Sequence, residues 1–499
     1  MYKVIAIAVA ISASVHAAEL PSASPESQGF ESAKLANLLQ VIEREGWAID
    51  SLLLMRNGKV VLDSYFYPYA PNQLHDMRSV TKSVVSTMLG ISLEQKKLAS
   101  LNQPVLPFYP TQAKQERDAR KKTLSLENLI DMRSGLQWTE WPYTPDSTIY
   151  QMYRSSDQRQ FVIGLPLVDK PGVVFSYNGG NMNLLSGVIE QAWGETMRQV
   201  ARKQLFSKLG IEDCRWASDP QGHTIGEAGL YLKPHDMARL GQFWLDDGVI
   251  AGERFLPTAW TQQLLADGLP ASLGMQYRRG FWISPEQGIF QAHGRHGQMI
   301  MVSPKDRVVM VVTGKFNEQT KEWYELYPLF TRSMQAAPLA ENPAAQLQLN
   351  TVIASVARAK PEASSIALGE QWQGKLWQLA ENPAGINSIE FIPDPGDTGA
   401  MKWRVAWSMQ LGAQRQSGIN EWKIGFDGAY RMQADPLQNG AILALRGRWL
   451  DTHTLQLHTQ YPSGGMKWEY QMRFTGDSVA VHVADNEAVD MHLTGQLKQ

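Results

Sequence analysis

The chain has 499 residues, 43% of them hydrophobic and 19% charged, with a formal net charge of −2. That length exceeds one ordinary hydrophobic core and predicts two domains or more. A nearly neutral chain without a dense Lys/Arg cluster excludes nucleic acid as the main partner, which requires a concentrated basic face, and gives no sign of a membrane-surface binder.

Lys3, the apolar run Val4 to Val15 and the small residues around Ala17 have the layout of a secretory leader, residues 1–17. Cleavage is expected after Ala17, with Ala18 as the alternative. The run is shorter than the roughly 20 apolar residues that span a bilayer. No other stretch reaches that length, so no membrane span is expected after the leader is removed, and a periplasmic or secreted location follows. Cys214 is the only cysteine, which rules out an intrachain disulfide and a Cys-rich zinc site.

Leu35, Leu38, Leu39 and Ile42 recur at helical spacing. Leu52 to Met55 and Val60 to Tyr67 flank Asn57-Gly58, a hairpin signal. Helical patterns follow over Val84 to Leu93, Leu124 to Met132, Leu184 to Trp193 and His235 to Trp244, with an irregular, aromatic-rich stretch at 136–170. Met299 to Val302 and Val308 to Val312 read as a second hairpin of buried strands. Strands at both ends of residues 50–315 and helices between them predict an α+β domain over 18–335: an antiparallel sheet whose first and last strands meet, flanked by helices, with a helical insertion. Residues 336–368, rich in Ala, Pro, Gln and Ser, read as a partly helical linker. From 369 to 499 short β-like runs between Gly, Asp and Asn turns predict an all-β domain, a sandwich or a small barrel.

Ser79-Val80-Thr81-Lys82 is the only Ser-x-x-Lys in the chain. On a helix, residues three apart share a face, and a serine at the helix N-terminus sits where free N–H groups favour developing negative charge. A lysine there, partly desolvated and near other cations, can be depressed enough to act as a base toward the hydroxyl. A serine N-cap beside a solvated lysine is the alternative.

From Arg78 to about Gly314 the chain resembles the serine β-lactamase-like family, which includes class C β-lactamases, D-stereospecific peptidases, carboxylesterases and 6-aminohexanoate-dimer hydrolases. The resemblance rests on ordered segments: Ser79 to Lys82; Leu124 to Leu129 with Ser134-Gly135-Leu136; Pro171 to Gly180; Leu230 to Gly241; and Gly294 to Gln298 with Pro304. It implies that Ser79 is the nucleophile, Lys82 its partner, and Tyr177 a second-motif tyrosine that relays a proton. An ordinary phenol titrates near 10, so Tyr177 would need Lys82 close by. It also implies an oxyanion hole of backbone N–H groups, from Ser79 and from the third-motif strand near Gly297-Gln298.

The chain departs from the family pattern at two places. Gly179 stands where an Asn or Ser is common, so a side-chain donor toward the substrate amide or Lys82 is missing unless Asn178 or Asn181 supplies it. No Lys-Thr-Gly exists, and His293-Gly294-Arg295-His296-Gly297 occupies that region. His293, Arg295, His296, Gly297 and Gln298 are expected around the substrate, together with Asn178. Trp138, Trp141, Tyr143, Tyr150 and Tyr153 either line an apolar cleft or belong to the helical core.

Other motifs fail. Gly369 to Leu376 has the outline of a phosphate loop but ends in Leu where Ser or Thr is required. There is no Gly-x-Ser-x-Gly and no His-Glu-x-x-His, so neither a metal nor a cofactor is expected. The resemblance implies a serine hydrolase acting on a small-molecule ester, amide or peptide. A cell-wall D-peptidase or β-lactamase, and a non-catalytic sensor on the same fold, are the alternatives.

Overall fold

The computed structural model describes residues 19–272, 274–316, 321–411, 414–438, 441–486 and 489–498; the expected leader lies outside them. The first domain is built on one eight-stranded sheet. Its strands are β1 (Ile49–Arg56), β2 (Lys59–Tyr65), β3 (Leu269–Pro270), β4 (Gln276–Arg278), β5 (Phe281–Ser284), β6 (Ile289–Gly294), β7 (Gln298–Ser303) and β8 (Val308–Gly314). Their spatial order is β2-β1-β8-β7-β6-β5-β4-β3, antiparallel throughout. The first long strand and the last therefore meet, Leu52 opposite Val312. Asn57 and Gly58 take φ of 52° and 76°, the two left-handed positions that a tight hairpin requires.

Strands β1, β7 and β8 are buried along their whole length, and alternate side chains leave opposite faces. Leu53, Met55, Ile300, Val302, Val309 and Val311 enter the larger core. Leu52, Leu54, Met299, Met301, Met310 and Val312 enter a second core on the other face. The sheet is thus the middle of three layers.

One face carries α1 (Ser32–Glu45). The other carries α2 (Val80–Glu94), the short α3 (Leu126–Ile130), α4 (Gly179–Trp193) and α5 (Pro234–Leu245). Helix α2 is buried on all sides from Val80 to Ser92, as expected of an apolar helix without a wet face. Its hydroxyls are satisfied: Ser83 Oγ donates to Gly280 O at 2.6 Å and Thr87 Oγ1 to Ser83 O at 2.8 Å. The stretch read as a linker contains α6 (Pro343–Val356), whose Leu349, Val352 and Val356 pack into the α1 core. Helical spacing there reports a core helix of the first domain.

The second domain holds β9 (Leu376–Leu379), β10 (Ile386–Pro393), β11 (Ala400–Leu411), β12 (Gln414–Gly425), β13 (Arg431–Asp435), β14 (Ala441–Trp449), β15 (Thr454–Gln460), β16 (Lys467–Thr475), β17 (Ser478–Asp485) and β18 (Asp490–Leu497). Their order is β12-β11-β10-β9-β18-β17-β16-β15-β14-β13. A parallel contact between Gly425 and Arg446 joins β12 to β14 and closes nine strands into a barrel, with β13 at the seam. Inward residues such as Trp377, Phe391, Ile424, Leu455 and Phe474 fill it. Between sandwich and barrel, the sheet is a barrel.

The two domains touch through the turn between β15 and β16. Ser463 O accepts from Asp76 N at 2.8 Å, and Gly464 O accepts from Lys315 Nζ at 2.6 Å. Lys315 is buried against Asp50, 3.0 Å away, and Tyr69 Oη donates to Gln460 Oε1 at 2.7 Å.

Candidate active site

The loop that leads into Ser79 is tied down before the helix begins. His75 and Asp76 pair with Tyr231 and Leu232, and Met77 N donates to Leu230 O at 2.8 Å. Arg78 is held at φ 46°, its N–H donating to Asp76 Oδ1 at 3.0 Å. That left-handed residue turns the chain into α2 and leaves Ser79 as its N-cap, half-buried. The segment 230–241, singled out by its sequence, therefore braces the nucleophile loop.

Lys82 follows one turn later and is 1% exposed. Its Nζ donates to Ser79 Oγ at 2.8 Å and to Glu227 O at 2.8 Å, and lies 5.0 Å from the centroid of the Tyr177 ring. Ser79 and Lys82 both act on the Tyr177 hydroxyl, pulling its pKa down. Its ring stacks on Trp282 at 5.6 Å and meets Tyr277 edge-on at 6.2 Å. Hydroxyl, amine and phenol thus share one cluster.

Two acidic residues not expected from the sequence complete it. Glu227 Oε2 lies 3.9 Å from Lys82 Nζ, and Glu227 Oε1 accepts from Tyr153 Oη at 2.8 Å. Glu140 Oε2 accepts from Gly179 N at 3.0 Å and from Trp138 Nε1 at 2.6 Å. Both carboxylates crowd Gly179. A Cβ there would stand 3.2 Å from Glu227 Cβ and 3.3 Å from either Glu140 oxygen. The signal available in the sequence was the departure at Gly179, which calls for compensation without saying where it comes from.

The electrostatics correct one expectation. Lys82 was to be depressed by cationic neighbours. Burial does pull it down, but the Tyr177 oxygen, Glu140 and Glu227 outweigh that and hold Lys82 above its ordinary value. Burial raises Tyr177 against the pull of Lys82, with Glu140 adding to the rise. Burial likewise raises Glu227, opposed by Lys82. The resting cluster is a charged lysine beside a neutral phenol.

The remaining expected residues divide. Asn178 Oδ1 caps α4 by accepting from Asn181 N at 3.1 Å, and Asn181 Nδ2 donates to Leu129 O at 3.3 Å. Both are helix-positioning residues in this geometry, and Lys82 donates instead to Ser79 Oγ and the Glu227 backbone O. Trp138 holds Glu140 instead of presenting a bare apolar face. Arg295 lies over Trp141 and Tyr143, 4.7 and 4.5 Å from their centroids, tying the aromatic stretch to the end of β6. Tyr143, Tyr150 and Tyr153 continue edge-on from Trp141. His293 is buried in β6 opposite Met299.

Gly297 and Gln298 sit elsewhere than expected. A Cβ on Gly297 would strike the Phe316 ring, and Gln298 Nε2 donates to Gly314 O at 2.7 Å. The third-motif residue beside the nucleophile is Gly294, where a Cβ would lie 2.4 Å from Met77 O and 3.1 Å from Ser79 N. His296, fully buried, lies under the barrel turn: a Cβ on Gly465 would be 2.6 Å from its Nδ1 and 3.3 Å from Arg78 Nη2.

Among the described residues, one group of metal-ligand type converges, His482, Asp490 and His492, exposed on barrel strands β17 and β18 and not part of this cluster. No helix among the described residues is long and apolar enough to cross a membrane.

Residues 40–325 match the profile of the Beta-lactamase family, more than half of the chain, and the protein belongs to that family. It is 25% identical over 316 residues to the 6-aminohexanoate-dimer hydrolase of Paenarthrobacter ureafaciens, covering 59% of this chain and 79% of that one. Protein flp of Staphylococcus aureus is 23% identical over 194 residues, covering 37% of this chain and 36% of that protein. The structure titled a putative 6-aminohexanoate-dimer hydrolase from Bacillus anthracis superposes with a TM-score of 0.53 at 22% identity, covering 64% of this chain and 86% of that one. The fold is that of the β-lactamases and penicillin-binding proteins, with a C-terminal barrel added.

Proposed function

We propose that the protein hydrolyses ester or small amide bonds through an acyl-enzyme on Ser79. The observation that carries this is a half-buried serine at a helix N-terminus whose Oγ lies 2.8 Å from the buried Lys82 Nζ, which in turn lies 5.0 Å from the Tyr177 ring centroid. With Lys82 donating to Ser79 Oγ and Glu227 O, the serine's own proton is left for the Tyr177 oxygen. The reactive form is the one in which the Lys82–Tyr177 pair has lost one proton.

Ser79 Oγ attacks the substrate carbonyl as its proton passes to that pair. The C–O or C–N bond breaks, the leaving group takes the proton, and the acyl group stays on Ser79. Water then adds to the acyl carbon, giving a proton to the pair, which returns it to Ser79 as the acid departs. The Ser79 N–H and the backbone at Gly294–Arg295 serve as oxyanion donors, each contributing ~10²–10³ in rate. The absence of Lys-Thr-Gly favours substrates without a carboxylate to be gripped. Exposed Trp141, which Arg295 covers just past the end of β6, favours an apolar group on the substrate. The leader-like N-terminus adds export to the reading.

The test is covalent labelling with a fluorophosphonate, followed by a panel of short-chain esters, amino-acid amides, a linear ω-amino-acid dimer and a chromogenic cephalosporin. Labelling maps to Ser79, ester or amide turnover leads the panel, and Ser79→Ala loses both. Turnover that survives the alanine change sinks the reading, and preference for the cephalosporin sinks its substrate class.

A further inference from the structure

Gly179 leaves a gap in the family's second motif, and the fold fills it with two acids from elsewhere in the chain. Glu140 arrives from the aromatic stretch, fixed by the Trp138 indole and the Gly179 N–H. Glu227 arrives from the loop before residues 230–232, fixed by Tyr153 on its carboxylate, while Asn183 Oδ1 accepts from its backbone N–H at 3.2 Å. A Cβ at 179 would already press on both, 3.2 Å from Glu227 Cβ and 3.3 Å from the Glu140 oxygens. Buried carboxylates are retained only where paired, and the nearest cation to Glu227 is Lys82, 3.9 Å away.

We propose that Glu227, ion-paired with Lys82, and Glu140, fixed on the Gly179 N–H, are positioning residues that replace the missing side chain at Gly179 and set the pH at which Ser79 is activated. The proposal rests on the serine-hydrolase reading. An Asn at 179 would offer a neutral hydrogen bond. Two carboxylates, once ionised, offer negative charge, which holds the proton on the Lys82–Tyr177 pair and moves the onset of activity to higher pH. The groups facing this pair come from every surrounding segment: Asp76 before α2, Glu140, Tyr143 and Tyr153 from the aromatic stretch, Glu227, Tyr277 from β4, and Arg295 after β6. Arg295 opposes the acids but spends its face on Trp141 and Tyr143.

The sign is set by charge. Each carboxylate favours the protonated form of Lys82 and Tyr177, so removing either charge releases the proton at lower pH. The experiment is the pH profile of kcat/KM for the full-length wild type, Glu227→Gln and Glu140→Gln on an ester substrate. Fluorophosphonate labelling of Ser79 and a melting temperature are measured for each protein. The rising limb is expected to move about 1–3 pH units acidward in Glu227→Gln, the range for a charge within this distance, and less in Glu140→Gln. If Ser79 labels and both variants stay folded but neither limb moves, the carboxylates are packing residues and the proposal is overturned. If Ser79 of the wild type does not label, it is the hydrolase reading that has failed. Should Glu227→Gln fail to fold, Glu140→Gln reads the same limb.

Discussion

The two domains bury comparable aromatic and aliphatic side chains but differ in where most of their ion pairs lie. In the barrel, ion pairs such as Arg404 with Glu390 and Glu421, and Arg431 with Asp397 and Asp427, lie on partly exposed outer surfaces. In the catalytic domain Lys82, Glu227, Asp131 and Lys121 are all buried. Exposed pairs are worth ~0–1 kcal/mol and are harmless, whereas buried charges need good partners merely to break even. Under the proposed function the buried Lys82–Glu227 pair beneath Ser79 serves chemistry, and the barrel reaches the loop before Ser79 through the turn beside Arg78 and His296.

The sharpest break in that contrast is Ser79→Ala. It removes the attacking oxygen while α2 keeps its packing, so turnover should fall ~10⁴-fold or more with an unchanged melting temperature. Tyr177→Phe comes next. It deletes the proton acceptor but preserves the stacking on Trp282, and a loss of ~10²–10⁴ in kcat is expected. If the phenylalanine variant keeps wild-type kcat, Lys82 alone moves the proton. Gly465→Val tests the barrel's side. Its Cβ meets His296 and Arg78, and displacement of the loop beside Ser79 should cost about 10–10²-fold in kcat/KM while the barrel core, which the turn does not enter, stays intact. Unchanged kinetics would make the barrel a bystander.

The parts legible in the sequence were those with a short-range signature. Asn57-Gly58 marked a hairpin through its left-handed φ values, the alternating cores of β7 and β8 showed as continuous apolar runs, and Ser79 to Lys82 carried its own spacing. Glu140 and Glu227 carried none. They lie 87 residues apart in sequence (227 − 140) and meet only because the aromatic stretch and the loop before residues 230–232 fold back on Gly179. The third motif was located to its hairpin but misplaced within it. Glycines at 294 and 297 look alike in sequence, and only packing distinguishes the one against Ser79 N from the one against Phe316. Helix α6 was read as linker because its alanines and glutamines dilute the apolar stripe.

The smallest effect concerns stability alone, at the polar seam between the domains. His75 is buried beside Asp50, their Nδ1 and Oδ2 3.9 Å apart, and burial pushes the imidazole down to about 3 from its ordinary 6.5, with Lys315 adding to the fall. Between those values the unfolded chain binds a proton that the folded protein refuses. Stability from this residue is thus complete above about 6.5 and is lost as the pH falls toward 3. Asp50 works the other way, because burial raises it despite Lys315, so the folded state favours its protonated form. The two must be separated by difference. Denaturant unfolding of wild type and His75→Phe between these pH values should show a shallower acid decline in the variant, by a few kcal/mol at most, with ester turnover at neutral pH changed little. Parallel curves would mean that His75 is protonated in the fold after all, and that the seam tolerates charge as the catalytic cluster does.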